Sequence, residues 1–303
     1  MSVPPEVASY GAPAGVIHDI GYRRYDGPRL SRGYILRSLF VQSLRSTYGL
    51  GRTAKSKILP FLLGAVMVLP AGILVAVTIA LKPENPLVPY TRYAIFTQAV
   101  IGIFAAAQAP QLFSRDLRFR TITLYFSRPL VRLDYVVAKY GALVASLFIL
   151  MAVPLVLMYV GALLAKYPFG SQTKGFLEGL AGIAILALIL AGIAAVIAAL
   201  TTRRGFGVAA IITVLTVSYA GSNLVGVILS EQGQQGAAGY AGLFSPVTLV
   251  DGVQVIALGA QSSGAVPPPD GALGTVAYLL VTAVVVVGAF GLLLLRYRKV
   301  AAS

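Results

Sequence analysis

Six long apolar runs determine what kind of protein this sequence can form. They lie at 58–81, 94–113, 136–165, 179–200, 206–229 and 275–295. A helix of about 20 residues, rising 1.5 Å per residue, crosses the roughly 30 Å hydrocarbon core of a bilayer. The chain is also 57% hydrophobic and only 11% charged, which a soluble domain could not carry on its surface without aggregating. We therefore predict an all-α integral membrane protein with six transmembrane helices, the transmembrane domain spanning 58–303.

The distribution of positive charge predicts the orientation of these helices. Twenty of the 24 Lys and Arg residues fall in the segments that would share one side of the membrane with the amino terminus. The opposite side would hold only Lys82, Arg92, Lys166 and Lys174. Because basic residues are retained in cytoplasmic segments, both termini are predicted to be cytoplasmic. The net charge of +14 follows from this topology, so no nucleic-acid partner is predicted.

Residues 1–57 are predicted to form a cytoplasmic tail and an interfacial helix. The first 15 residues are rich in Pro, Ala and Gly, which favours disorder and does not resemble a signal peptide. Further on, one face repeats apolar residues at four-residue spacing, namely Leu36, Phe40, Leu44 and Tyr48, with Ser38, Gln42 and Arg45 on the far side. This pattern predicts an amphipathic helix lying along the membrane. Ile35 and Leu39 interrupt the polar face, so a helix packed into the core is the alternative.

The connection between the second and third runs, residues 114–134, is basic and amphipathic. Its arginines and its first acid alternate with apolar side chains such as Leu117 and Phe119. Such a segment is too polar to enter lipid and too apolar to be fully solvated, so we predict that it lies on a surface. A cytoplasmic loop whose arginines serve topology alone is one interpretation, and a docking segment for a partner is the other.

The order of residues in this connection resembles a known family. Asp116 is followed by Thr121 and Thr123 and then by Ser127, Arg128, Pro129 and Leu130, which is similar to the segment after the second span of exporter-type ATP-binding-cassette permeases. In that family the segment is a coupling helix that sits in a groove of the ATPase subunit. Residues 17–30 resemble the cytosolic lead-in of a bacterial subgroup. One departure is that the acidic position commonly held by Glu is Asp116 here. The resemblance implies that Arg115, Asp116, Arg118, Phe119, Arg120 and Arg128 couple the chain to an ATPase.

The same resemblance implies an assembly and a translocation path. The chain would be the permease subunit of an exporter in the bacterial plasma membrane, paired with a second copy or a sister permease and with two ATPase subunits that hold ATP and Mg²⁺. The cargo would be a lipid, a drug or another amphipathic molecule. The second and fifth spans would line the path, with their polar residues Gln98, Gln108, Gln111, Ser218, Ser222 and Asn223. Hydrogen bonding between helices is the alternative role for these side chains.

The external segment 230–274 contains one further apolar helix. Ser245 and Pro246 predict an N-cap followed by Pro at the first helical position, and Gly259 predicts the end. The run between them is too short to span a bilayer, so a re-entrant or interfacial helix is predicted. Short helices at this place also agree with the resembled family, and an irregular loop is the alternative.

Three further patterns concern the packing of the spans. Tyrosines near the span ends predict an aromatic belt at the membrane surface, at Tyr90, Tyr93, Tyr135, Tyr167, Tyr278 and Tyr297. Small residues repeat every fourth position at Ala187, Ala191, Ala195 and Ala199, and at Gly72, Ala76 and Ala80, which predicts close helix packing. Pro154 predicts a tilt or a kink in the third span.

The mechanism is also constrained by chemistry that the sequence lacks. No ionisable residue lies in the interior of any of the six runs, and Lys139 and Glu178 at their edges are expected to snorkel. The sequence has no GxxxxGK[ST] phosphate loop, so the energy for transport is expected from another subunit. With no cysteine and one histidine, no metal site is predicted. Two alternatives stay open: a non-transporting membrane anchor for a cytosolic ATPase, and a membrane-embedded lipid-modifying enzyme, although the acidic residues are scattered.

Overall fold

The computed structural model describes residues 27, 31–83, 86–119, 130–201, 203–264 and 266–300, and its regular structure is helical throughout these ranges. The helices are α1 (Arg32–Thr47), α2 (Ala54–Leu81), α3 (Tyr90–Phe96), α4 (Gln98–Leu112), α5 (Ser114–Arg118), α6 (Arg132–Leu164), α7 (Phe169–Leu200), α8 (Arg204–Glu231), α9 (Gln235–Tyr240), α10 (Pro246–Leu258) and α11 (Ala272–Val300). A 3-10 turn, Ala241–Phe244, links α9 to α10. All of these elements belong to one unit, Arg32–Ser303. The predicted all-α class is confirmed.

Five of the described helices, α2, α6, α7, α8 and α11, are long and apolar enough to cross a membrane. They correspond to five of the six apolar runs. Helices α2, α8 and α11 expose many large apolar side chains, including Phe61, Val217 and Val287. A large exposed apolar surface is favourable in contact with lipid and unfavourable in contact with water. This surface is expected for a multi-pass membrane protein.

The second apolar run is broken rather than continuous. Its two parts, α3 and the α4–α5 stretch, meet at an angle of 62°. Thr97 lies at the break, and its hydroxyl donates to the carbonyl of Tyr93 at 2.9 Å. A β-branched residue that bonds back to the preceding turn competes with the helical ladder and bends it. By contrast, α6 contains Pro154 and remains one helix over its whole length.

Helix α7 lies at the centre of the fold. It contacts α3, α4, α6, α8, α10 and α11. Its stripe of small residues, Ala187, Ala191, Ala195 and Ala199, is fully buried, which confirms a close packing face within the chain. The similar stripe on α2 is not packed within the chain, since Ala76 and Ala80 are exposed. There Met67 and Ala71 face the core instead.

Helix α1 packs along α6. Its most buried residues are Leu39, Ser43 and Thr47, which follow one another at four-residue spacing. Leu39 is one of the two residues that interrupt the predicted polar face. The guanidinium of Arg32 forms a two-pronged ion pair with Asp134 at 2.6 and 2.7 Å, and these hydrogen bonds raise the pKa of Arg32. Helix α1 thus packs on the core along this line, while its predicted polar residues Ser38, Gln42 and Arg45 are exposed. That α1 also lies along the membrane stays a prediction.

Five of the six tyrosines near the span ends do not lie in the predicted aromatic belt, and the sixth, Tyr167, is half-buried. Tyr90, Tyr93, Tyr135, Tyr278 and Tyr297 are all buried within the protein. A buried tyrosine hydroxyl needs a hydrogen-bond partner, and Tyr90 donates to the Gln172 side chain at 2.8 Å while Tyr93 and Tyr278 donate to backbone carbonyls. The hydroxyl groups of Tyr90, Tyr93 and Tyr278 therefore bond inside the bundle rather than at the lipid headgroups.

The external segment folds over one end of the bundle as α9, the 3-10 turn and α10. Pro246 occupies the start of α10, and Gly259 ends the helix with φ of 68°, as predicted. The predicted N-cap is wrong in one respect, because the Ser245 hydroxyl is buried and bonds no described atom. Asp251 holds the following loop by accepting hydrogen bonds from the backbone N–H groups of Ser263 and Gly264 at 3.0 and 3.2 Å.

Candidate functional site

The α5 segment is fixed to the bundle by buried polar contacts. The hydroxyl of Ser114 donates to the carbonyl of Ala198 on α7 at 2.7 Å. The Asp116 carboxylate accepts a hydrogen bond from the Tyr135 hydroxyl at 2.8 Å and pairs with the ammonium of Lys139. Both partners lie on α6, so α5 is held by two of the spanning helices.

Lys139 is buried and does not snorkel to the membrane surface. Its ammonium donates to the carbonyl of Leu112 at 2.8 Å as well as to Asp116. A charged group inside a bilayer protein is stable only when it is paired and hydrogen-bonded. Here the end of α4 supplies the carbonyl of Leu112, and α5 supplies the carboxylate of Asp116. The expectation for Lys139 was wrong because the sequence does not reveal that Asp116 folds back over the start of α6.

Helix α11 joins the same network through aromatic packing. The rings of Tyr135 and Tyr297 pack with their centroids 5.1 Å apart, and both side chains are fully buried. Next to Tyr297, the guanidinium of Arg296 donates to the carbonyl of Ala199 at 3.2 Å. The elements α5, α6, α7 and α11 therefore meet at one place. Sequence reasoning missed Lys139 here, although an ionisable residue in a spanning helix is itself a signal of a built polar site.

The other predicted coupling residues divide into those that face outward and those that are not described. Arg115, Arg118 and Phe119 are exposed, and the Phe119 side chain is 64% exposed. The guanidinium of Arg118 lies 5.7 Å from the centre of the Phe119 ring. Arg120 and Arg128 lie outside the described residues. The outward side of α5 is thus basic and aromatic, while its inward side is anchored.

An apolar cavity of about 360 Å³ lies between α4, α7, α8 and α10. Its wall includes Ile101, Leu186 and Leu215, and its few polar groups belong to Gln98, Thr216 and Tyr219. A largely apolar cavity with a few polar groups suits an apolar or amphipathic ligand. Thr216 and Tyr219 were not predicted, and nothing in their spacing distinguishes them from core residues.

Most of the predicted path residues bond within the protein instead of lining this cavity. Gln111 donates to the carbonyl of Ser46 at 3.0 Å, Ser222 to that of Ala241 at 2.7 Å, Asn223 to that of Tyr219 at 2.8 Å and Ser218 to that of Leu215 at 3.0 Å. Gln108 is buried, and its side-chain oxygen has no partner among the described atoms. Gln98 is the one member of the predicted set that the described cavity wall contains. Helix-to-helix bonding accounts for the contacts of Gln111 and Ser222.

Among the described residues, no group of three or more His, Cys, Asp or Glu side chains could hold a metal ion. Comparison with known proteins adds no family assignment. No protein-family model matches this chain, and no curated protein matches it.

Proposed function

We propose that this chain is the permease subunit of an ATP-driven exporter that moves a lipid, a drug or another amphipathic cargo outward across a bacterial plasma membrane. It would use six spans, with the bent α3–α4 pair counted as one, and both termini would be cytoplasmic. A second copy or a sister permease would complete the pathway. The ATP and Mg²⁺ would be bound by separate ATPase subunits, because this sequence has no phosphate loop.

The observation that carries the proposal is the two-sided character of α5. On one side, Asp116 and Ser114 bind it to α6 and α7. On the other, Phe119 and the neighbouring arginines are exposed. A large exposed aromatic side chain beside arginines has the composition typical of an interface anchor. A displacement of α5 by a partner would be passed directly to two spanning helices.

The apolar cavity supports the choice of cargo class. It is bounded by the second and fifth apolar segments, α4 and α8. Its wall offers extensive apolar surface and three polar side chains, which matches a molecule with an apolar body and a small polar part. A strongly charged hydrophilic solute would lose its hydration in such a cavity without gaining partners.

The proposal is tested by replacing the exposed anchor. Phe119→Ala should weaken binding of the ATPase subunit by about 2 kcal/mol or more, because interface energy concentrates in a few desolvated aromatic residues. Binding is measured by co-purification and titration of the ATPase identified by mass spectrometry. Phe206→Ala is the matched control, since Phe206 is equally exposed, at 67%, at the start of α8. We expect it to bind the ATPase as the parent does.

If Phe119→Ala and Phe206→Ala both bound the ATPase with the affinity of the parent, the coupling role of α5 would be wrong. A complex that forms and hydrolyses ATP without moving any amphipathic cargo would favour the membrane-anchor alternative. Asp116 is a poorer test residue than Phe119 because its carboxylate is engaged within the chain. Its replacement would shift α5 even if the partner never touched it.

A further inference from the structure

Four arginines from three separate parts of the chain line one cavity. The cavity has a volume of about 210 Å³ and is lined by Arg52, Arg115, Arg118 and Arg204, with Pro110, Gln111, Ser114 and Phe119 completing its wall. Arg52 lies just before α2, Arg115 and Arg118 belong to α5, and Arg204 is the first residue of α8. The tertiary structure thus gathers charges that are far apart in sequence.

The described wall of this cavity contains no counter-charge for the four arginines. No acidic residue lines the cavity, and none of the four guanidinium groups forms a hydrogen bond or ion pair with a described residue. Within the described ranges, Arg118 makes a cation–π contact with Phe119. Asp116 lines an adjoining cavity that shares Arg52 and Arg115, but its carboxylate is paired with Lys139.

The close approach of like charges is unfavourable by itself. Partial burial lowers the pKa of Arg52, and the nearby Arg115 and Arg204 guanidinium groups lower it further. Topology does not require this arrangement, because arginines that only mark the cytoplasmic side can spread apart in solvent. An anion bound in the cavity would be attracted by all four guanidinium groups, and this attraction would offset the repulsion between them.

The surroundings of the cavity indicate which anion fits. Guanidinium groups bind phosphate oxygens through paired, charge-assisted hydrogen bonds. The four arginines lie at the ends of membrane-crossing segments, where lipid headgroups are found. Large apolar side chains continue from the site along the spans, with Ile58 on α2 exposed at 62% and Phe206 on α8 at 67%. The hydroxyl of Ser114 and the amide of Gln111 already donate to backbone carbonyl groups. The hydrogen bonds to a bound phosphate would therefore come from the arginines.

We propose that Arg52, Arg115, Arg118 and Arg204 form a binding site for a phosphate group, supplied by an anionic phospholipid headgroup or by free phosphate. The site requires no ATPase partner and no transport activity, so it goes beyond the function proposed above. Bound phosphate would tie the loop before α2 and the start of α8 to α5.

The test uses the full chain in nanodiscs of phosphatidylcholine, with or without phosphatidylglycerol, and measures the thermal unfolding midpoint together with retention of labelled phosphatidylglycerol. A ligand that binds only the folded protein raises the midpoint. We expect the double variant Arg52→Gln/Arg204→Gln to lose this rise and to retain the anionic lipid on the order of tenfold less tightly. The double variant Lys55→Gln/Arg203→Gln removes the same charge from neighbouring exposed positions outside the cavity. It should behave as the parent does.

Two further experiments are included. One identifies the source of the phosphate, and the other shows whether a variant has lost binding without losing its fold. Inorganic phosphate added to phosphatidylcholine nanodiscs should raise the midpoint of the parent if free phosphate is the ligand, and should leave it unchanged if only the lipid binds. Arg52→Lys/Arg204→Lys keeps the charges needed for insertion but loses the planar donors, so it should fold and show weakened binding. The proposal is overturned if the cavity variants and the Lys55→Gln/Arg203→Gln control respond alike to both ligands.

Discussion

Lys139 was expected to extend to the membrane surface, but it is a charged residue inside the protein. It is buried, and its ammonium is shared between Asp116 and the carbonyl of Leu112. The charge is kept in the protein interior because each donor and acceptor has a partner. Its position near the start of α6 made it appear free to reach water, whereas the fold closes that route with α5.

We predict that Lys139→Met destabilises the protein by about 3 kcal/mol, because it leaves the Asp116 carboxylate without its buried counter-charge. The double variant Asp116→Asn/Lys139→Met should recover part of that loss, since no uncompensated charge then remains. Unfolding in detergent, followed by circular dichroism, measures both values.

A matched control is available in Lys174→Met. Lys174 lies 3.8 Å from Glu178, and its side chain is 79% exposed, so its ion pair contributes little. Equal midpoints for Lys139→Met and the parent would show that the buried pair does not stabilise the fold.

Helix α10 depends on glycines for its close fit among the spanning helices. A Cβ atom added at Gly252 would lie 2.1 Å from a ring carbon of Tyr278 on α11. Likewise, a Cβ atom at Gly182 on α7 would lie 1.5 Å from the side-chain nitrogen of Gln254 on α10. The hydroxyl of Tyr278 is fixed by donating to the carbonyl of Gly239 at 2.7 Å. Small residues on both sides therefore let α10 approach the bundle.

Gly252→Ala should force Tyr278 to move and should cost about 1–3 kcal/mol, as overpacking of a tight interior does. We expect a lower unfolding midpoint and faster proteolysis of the external segment. Gly288→Ala serves as the control, because a Cβ atom there meets nothing within 4 Å. An unchanged midpoint and unchanged proteolysis for Gly252→Ala would mean that α10 is not packed as closely as described.

For the molecule as a whole, the distribution of charge predicts the orientation in the membrane. Twenty of 24 basic residues lie on the side that we assign to the cytoplasm. By this assignment, the arginine cavity and the outward face of α5 are predicted to lie on that same side. The ATPase and phosphate proposals both place their partners there.

Because the chain has no cysteine, single introduced cysteines report orientation without interference. We predict that Ser171→Cys, at an exposed position near the start of α7, reacts with a membrane-impermeant thiol reagent in intact cells. Ser127→Cys in the basic connection should react only after permeabilisation. Labelling of Ser127→Cys in intact cells would reverse the assigned topology.

The sequence by itself determined the features that depend on neighbouring residues. The apolar runs predicted the long helices because 20 or more apolar residues form a helix in lipid whatever surrounds them. Pro246 and Gly259 marked the limits of α10 through backbone geometry, and the alanine stripe of α7 marked a packing face. For the site, the sequence singled out Asp116 and Phe119 as predicted contacts to an ATPase, but it did not show that Asp116 is bound within the chain by Tyr135 and Lys139.

Only the tertiary structure decided which face of each helix is buried in the protein and which is exposed. Lipid tails and a protein core are equally apolar, so periodicity does not distinguish them, and the tyrosines predicted for the membrane surface are buried. The pairing of Asp116 with Lys139 and the gathering of Arg52, Arg115 and Arg204 likewise join helices through space. These contacts depend on how α5 folds back against α6, α7 and α8, which no local pattern of residues encodes.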